Sequence, residues 1–370
     1  MQIKPNKIKT YITTLGVIVI FIITGFWLKV EFKEPILKNE ENIMIDELFK
    51  DTKPQCIGRY IIDIPISFNN KISNVKYIDE FKIESKFIYP PAFKQRVELR
   101  EKELRESNAS IENSPVLKRI IQLPDSKGII FDRNQPNSND SYRTLEAHVY
   151  VNHIAFIITT DILDLSDPKY SDEKKSYMEV SGFSEADTDN SSIKLSDMQS
   201  LISRLSGRLD NEIPKDKGTC IPNGFILDDN KPHKNDIYFL YENDNFRISV
   251  NTSSNNQKQN DSLLTRESEG RKTLMKNNKK TLRTNNINHN GINSQEWLIS
   301  GEQSIYNEIK KKVISDYPYY YFRLETSLPT SPLLSISMYN TEVETIYSKS
   351  EMIEIWDRIV GSLRYKPNAF

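Results

Sequence analysis

Cys56-Ile57-Gly58-Arg59-Tyr60-Ile61-Ile62-Asp63-Ile64-Pro65 opens the regular part of this chain, and a related phrase, Cys220-Ile221-Pro222-Asn223-Gly224-Phe225-Ile226-Leu227-Asp228, follows about one domain later. The chain has 370 residues and only these two cysteines. Each cysteine leads into a glycine, an aromatic residue, an isoleucine and an aspartate, in that order. The repetition points to two related halves. Tyr60 to Ile64 alternates as a strand, and Pro65, which has no N–H to donate, stops it.

Working outward, Val75–Tyr89 reads as one or two strands. Pro90-Pro91 break it, and Ala92–Ser107 reads as a helix with Phe93, Val97 and Leu104 on one face. Strands at Val116–Leu123, Gly128–Phe131, Tyr142–Val151 and Ile154–Thr160 follow, the last two joined by the short Asn152-His153 connection of a hairpin. A loop at Leu163–Lys194 leads to a helix at Ser196–Leu209, with Ser196 as N-cap and Leu201, Leu205 and Leu209 recurring every four residues.

The second half repeats this order. It reads as a strand at Phe225–Leu227, a hairpin of Ile237–Glu242 and Phe246–Asn251, and a helix at Ser262–Lys276. Strands follow at Lys280–Ile287, Gly291–Ser300, Tyr319–Ser327 and Leu333–Tyr339, then an amphipathic helix at Ser350–Leu363. The fold class expected is α+β: two similar lobes, each an antiparallel β-sheet with helices packed on one face, after an N-terminal transmembrane helix. The lobes span residues 54–213 and 214–370. Residues 31–53 form a linker with a short helix around Ile43–Phe49.

Ile12–Leu28 is a 17-residue run without charge, which as a helix just spans a hydrocarbon core. Lys4, Lys7 and Lys9 precede it, which holds the N-terminus in the cytoplasm and sends the rest outward. No small-x-small cleavage site directly follows the run, and no cysteine there can take a lipid. Residues 1–30 therefore read as a cytoplasmic tail and a retained signal anchor.

The net charge is −1, with both signs interspersed, so nucleic acid is not an expected partner. The chain carries no G-x-S-x-G elbow, H-E-x-x-H pair, Walker loop or dinucleotide fingerprint. No catalytic residue, metal site or cofactor is assigned. His148, His153, His233 and His289 are scattered and read as surface or turn histidines. Arg59 and Asp63, four apart on one strand, read as structural, with the arginine pairing a carboxylate. Cys56 and Cys220 have two readings: a disulfide, reasonable in an oxidising space and closing a loop worth about 4–5 kcal/mol at best, or two separately buried thiols. Tyr317, Tyr319 and Tyr321 lie in a dense aromatic run, where strand alternation turns half the rings outward and makes these three candidate partner contacts.

Gly58-Arg59-Tyr60-x-x-Asp63-x-Pro65 after Cys56, and Cys220-Ile221-Pro222-x-Gly224-Phe225-Ile226, resemble the openings of the two domains of a known family. The closing Trp356-Asp357-x-Ile359-x-x-Ser362-Leu363-Arg364, with Pro367 after it, also fits. The family is that of the two-domain immunity proteins cognate to phospholipase effectors, α/β-hydrolase lipases, of bacterial type VI secretion. The resemblance covers residue 54 to the end. It implies a non-enzymatic protein of the periplasm; the single-pass inner-membrane anchor read from Ile12–Leu28 departs from relatives that carry a cleaved signal or a lipoprotein signal. The resemblance also implies a one-to-one complex in which two lobes hold the lipase like a claw, away from membrane lipid. Gly58, Arg59, Tyr60, Asp63, Pro65, Gly224, Phe225 and Trp356 are the motif positions, and they read as structural. Two other readings compete: a membrane-anchored envelope binding or assembly module, and an extracytoplasmic hydrolase built on Arg59, Asp63 and the histidines.

Overall fold

The computed structural model describes residues 43–71, 76–254, 262–307, 309, 311–327 and 332–370. The expected transmembrane segment lies outside them, and among the described residues no helix is long and apolar enough to cross a membrane.

Helix α1 spans 43–49. The first half continues with β1 (Thr52–Ile57), β2 (Tyr60–Pro65), β3 (Asn69–Asn70), β4 (Lys76–Ile78), β5 (Phe81–Phe87) and α2 (Pro90–Glu106). Then come β6 (Leu117–Gln122), β7 (Gly128–Asn134), β8 (Tyr142–Val151), β9 (Ile154–Leu163), α3 (Ser171–Ser181), α4 (Ser191–Arg204) and β10 (Leu205–Gly207). The second half holds β11 (Gly218–Ile221), β12 (Gly224–Leu227), β13 (Asn235–Glu242), β14 (Arg247–Ser253) and α5 (Leu263–Lys276). It ends with β15 (Lys279–His289), β16 (Ile292–Asn307), β17 (Lys312–Thr326), β18 (Leu333–Tyr339), α6 (Lys349–Gly361) and β19 (Arg364–Tyr365).

The fold is α+β and antiparallel, but the halves do not carry separate main sheets. One sheet of thirteen strands runs β15-β16-β17-β18-β14-β13-β4-β5-β9-β8-β7-β6, with β3 beside β13. The junction is the β4–β13 pair, where Tyr77 faces Asp236 and Ile78 faces Asn235. Reading outward from it, each half repeats one connectivity: a hairpin, a helix, then a four-strand meander whose last strand returns to pair with the hairpin. Two hairpin turns are visible in the sequence chemistry. Asn152-His153 and Asn290-Gly291 take positive φ at both central residues, as a two-residue turn with the right twist requires.

The small sheets tie the halves together by exchange. β10, at the end of the first half, completes the β11–β12 hairpin of the second. β19, at the end of the second half, completes the β1–β2 hairpin of the first. Neither half closes its own small sheet.

Strand alternation decides the layers. In β13, Ile237, Phe239 and Tyr241 are buried, while Asp236, Tyr238 and Leu240 are half-exposed. The buried face packs against α4, α6, α1 and the small sheets, forming one continuous core from Ile45 through Phe156 and Phe322 to Leu363. The other face carries α2 over the β6–β8 end and α5 over the β15–β16 end. Helices therefore cover both faces, correcting the expectation of one. The reason is that Leu104 of α2 joins Leu117, Ile129 and Phe131 in a second cluster, on the side of β7 opposite Ile130, which lies in the main core.

Two further expectations change. The loop expected at Leu163–Lys194 contains α3, which ends on Gly182 in the left-handed region, a stop signal that was present in the sequence. The helix expected over Ser196–Leu209 is instead α4, which begins at Ser191 and ends at Arg204. Leu205 extends into β10 because Leu205–Gly207 finds ladder partners at Ile226, Phe225 and Gly224. Tertiary pairing overrides the four-residue leucine spacing.

Candidate functional site

The two cysteine phrases meet at the seam between the halves. Cys56 and Cys220 are joined in a disulfide with a Cα–Cα distance of 5.7 Å. Beside it, the Gly58 N–H donates to Cys220 O and the Cys220 N–H donates to Gly58 O, both at 2.8 Å. The two glycines of the phrases do different work. Ile57 pairs with Tyr60 and Ile221 pairs with Gly224, so Gly58 sits in its turn, at φ 58°, while Gly224 sits in a strand. A Cβ on Gly224 would lie 2.9 Å from the Phe156 ring, so glycine there permits close packing. In the second turn the positive φ belongs to Asn223.

Arg208 closes the seam from inside. It is buried, and its guanidinium donates to Cys56 O at 2.9 Å, Gly224 O at 3.0 Å, Leu209 O at 2.7 Å and Glu212 O at 3.1 Å. Asp210 accepts from the Asn223 N–H at 2.7 Å and from Asn70 at 2.6 Å, and burial raises its pKa. Lys76 is also buried, donating to Ser85 Oγ at 3.0 Å, and desolvation pushes it down to about 8. These hydrogen bonds go to other groups of the protein, so the seam reads as a strut.

The other motif residues join it. Arg59 precedes β2 instead of sharing a strand with Asp63. It pairs with Asp228 at 3.1 Å, donates to Ala369 O and lies over the Phe370 ring. Asp63 pairs with Arg364 at 2.9 Å. Tyr60 is buried with its hydroxyl 3.3 Å from Pro332 O, and Pro65 closes β2 opposite Thr52. Phe225 packs on the disulfide. Trp356 is fully buried, edge-on to Phe322, and donates to Glu296 at 3.0 Å.

The histidines do not converge, and among the described residues no group of His, Cys, Asp and Glu is arranged to hold a metal ion. Two of them are not the bland surface residues expected. His148 is 2% exposed, and its Nε2 lies 2.9 Å from Glu146. His233 lies between Asp79, 2.7 Å from Nδ1, and Asp229, 2.8 Å from Nε2. Burial lowers the His233 pKa, but the bonds to the two carboxylates outweigh it, and the net shift is upward.

Glu146 anchors α2 to the sheet. It takes two bonds from Arg100, at 2.7 and 2.8 Å, and one from Arg133 at 2.6 Å. Burial favours its neutral form, but the bonds from His148, Arg100 and Arg133 prevail and hold the carboxyl far below the ordinary range. The second half repeats the device: Arg266 of α5 and Arg323 of β17 both pair with buried Glu325. Sequence reasoning missed both. A lone glutamate inside an apolar strand, such as Glu146 between Leu145 and Ala147, is the signal that could have found the first.

The result is a sheet face walled by α2 at one end and α5 at the other. Its floor is half-exposed: Lys82 on β5, Tyr77 on β4, Tyr238 and Leu240 on β13, Ser249 and Asn251 on β14, Ser335 and Tyr339 on β18. Tyr319 and Tyr321 continue it on β17, opposite in sense to buried Tyr320 and Phe322. The Tyr321 and Tyr339 rings are 6.1 Å apart, and the Lys279 ammonium sits 3.6 Å from the Tyr319 ring centroid. Tyr317 lies past the end of this floor, with its hydroxyl donating to Thr345 O at 3.1 Å.

Residues 53–208 match the family described as Tle cognate immunity protein 4 N-terminal domain, and residues 212–368 match the corresponding C-terminal domain. In structure the chain is similar to the apo form of immunity protein TplEi of T6SS from Pseudomonas aeruginosa, at 17% identity and a TM-score of 0.66, covering 86% of this chain and 98% of that one. It is also similar to a chain of the Tle4-Tli4 complex, at 18% identity and a TM-score of 0.62, with the same coverage of 86% and 98%. A third similar structure is TplEi complexed with an "L" peptide, at 19% identity and a TM-score of 0.58, covering 85% and 98%. At these identities the likeness is one of fold. No curated protein matches the chain in sequence.

Proposed function

The chain belongs to the Tle cognate immunity protein 4 family, and on that premise we propose that it binds and neutralises a type VI secretion phospholipase effector. The mode is a one-to-one clamp in the periplasm, with no turnover and no cofactor. The observation that carries this is the sheet face between α2 and α5. It is broad and aromatic, and it is walled by two helices whose arginines pair with buried glutamates of the sheet. An inhibitor needs a fixed complementary surface, and a floor with rings at its centre supplies candidate anchors. Two walls that act together raise the effective concentration of the second contact once the first forms.

The seam supports the same reading. The disulfide, the reciprocal Gly58–Cys220 bonds and the exchanged strands hold one half against the other. Less ordering cost is then left for the moment of binding. Tyr319 and Tyr321 belong to the proposed contact surface. Tyr317, tied to Thr345 beyond the floor, stands at its margin. We further propose that residues 1–30 anchor the chain in the inner membrane, which places the clamp beside the lipid it protects.

The test is complex formation. The chain and its phospholipase effector, mixed in equal amounts, should elute together from size exclusion at the mass of one copy of each. Separate elution over a wide concentration range would count against the proposal.

A further inference from the structure

The β16–β17 hairpin extends beyond the rest of the sheet. β15 stops pairing at Lys279 opposite Gly301, and β18 stops at Tyr339 opposite Tyr321. The two strands continue together to Asn307 and Lys312. The ribbon is fixed at its root: the Gln303 amide donates to Asn340 O at 3.0 Å, its Oε1 accepts from the Glu342 N–H at 2.9 Å, and Ile305 is buried.

Past Ile305 the ribbon turns apolar side chains to solvent. Tyr306 and Val313 face each other across it and are 57% and 60% exposed, and Ile309 at the tip is 94% exposed. Lys311 and Lys312 are exposed beside them. We propose that this tip, formed by Tyr306, Ile309, Lys311, Lys312 and Val313, docks on an anionic phospholipid surface.

Two arguments select lipid over a protein partner. The first is charge. Lysine is depleted from protein–protein interfaces, whereas beside an anionic bilayer each lysine adds about 1 kcal/mol of attraction. An apolar tip flanked by lysines matches the layering of a bilayer surface, with side chains entering the interface while ammonium groups meet phosphates. The second is reach. The apolar run Ile12–Leu28 precedes the described region by the 14 residues 29–42, which extend about 50 Å at most. On the premise of the anchor proposed above, a chain tethered that closely meets the bilayer at high effective concentration, so a weak docking contact suffices.

Residues 43–370 contain the sheet and core found among the described residues. Solved chains of this fold are covered to 98% of their own length, so this region folds as a unit and can be tested without the anchor. It should co-sediment with vesicles of phosphatidylglycerol and phosphatidylcholine, and not with phosphatidylcholine alone. Lys311→Gln with Lys312→Gln should weaken vesicle binding about 30-fold. Ile309→Ser with Val313→Ser should abolish it. Both pairs should keep the urea midpoint of the parent and full inhibition of the effector.

Equal sedimentation with both vesicle types, or binding untouched by either pair, would overturn the proposal. So would loss of effector inhibition with vesicle binding retained, which would assign the tip to the protein interface. The effector takes no part in the vesicle assay, so failure here and failure of the immunity reading are separate results.

Discussion

Gly58 and Cys220 exchange both backbone hydrogen bonds across the seam between the halves, each at 2.8 Å, directly beside the Cys56–Cys220 disulfide. Strands β1 and β11 from opposite halves are thus joined by one covalent link, with a two-bond bridge beside it from the turn after β1 to β11. The expected consequence is a seam that survives reduction but weakens. The loop closed by the disulfide spans 164 residues, for which the chain-entropy estimate is about 4–5 kcal/mol as an upper value. Cys56→Ser with Cys220→Ser should lower the urea midpoint without changing the far-ultraviolet spectrum. An unchanged midpoint would mean that the unfolded chain is already compact enough for the closed loop to remove little of its entropy.

The exchange of β10 and β19 makes the C-terminus part of the first half. Arg364 pairs with Asp63, and Lys366 N–H donates to Arg59 O at 3.0 Å. Deleting residues 364–370 should therefore expose β2. Hydrogen exchange at Ile61, which pairs with Arg364 of β19, should accelerate more than exchange in β16. A uniform increase throughout the chain would mean global destabilisation and no specific role for the exchange.

How much of this was legible in the sequence depends on how local each signal is. The alternation of Ile237, Phe239 and Tyr241 marked β13 correctly, because one face of it is buried and the other is wet. Helix α6 was legible through its amphipathic face, and its N-terminus carries a capping box between Ser348 and Glu351. β10 was not legible, since Leu205 continues a helical spacing and becomes a strand only because β12 lies beside it. The reach of β16 and β17 past Gly301 was also missed, because Glu302, Gln303 and Ser304 look like loop residues. In the candidate site, Tyr319 and Tyr321 were visible as outward rings. The helices of the two walls were visible too, but the glutamate that pins the first was not, because Glu146 and Arg100 are 46 residues apart.

Glu146 tests the first wall. Its buried carboxylate bridges Arg100 and Arg133, whose guanidiniums are only partly exposed. Removing one partner of a fully buried pair costs about 3–5 kcal/mol, and the cost here is smaller because Arg100 keeps Glu103 and both arginines reach solvent. Glu146→Gln should lower stability by about 1–2 kcal/mol in urea titrations and should also weaken effector binding by loosening α2. Loss of stability with unaltered effector affinity would remove α2 from the clamp.

His233 gives the pH dependence. Its folded pKa lies above the unfolded value of about 6.5. Its contribution is therefore fully present below about pH 6.5 and is lost as pH rises through the folded value. Lys76 acts in a different window. Its folded pKa of about 8 lies below its unfolded value near 10.5, so it depresses stability below about pH 8 and ceases to do so only between 8 and 10.5. From pH 5.5 to 7.5 the urea midpoint should fall in the parent through His233 and fall less in His233→Gln. Parallel curves would show that Asp79 and Asp229 hold the loop without the imidazolium.

The floor between the walls carries the contact prediction. Tyr321 and Tyr339 lie side by side there. Tyr321→Ala and Tyr339→Ala remove half-exposed rings, so the fold should persist. Each should weaken effector binding by about 2 kcal/mol if the rings are anchors, read by calorimetry. Binding unchanged in both variants would move the interface off this face.

Inhibition is the most direct measurement. The chain would be titrated into a phospholipid hydrolysis assay of its effector, with Tyr321→Ala/Tyr339→Ala run in parallel. The prediction is that hydrolysis falls to zero at one copy per effector and that the double variant requires a large excess. Undiminished hydrolysis at molar excess of the parent chain would contradict neutralisation by clamping.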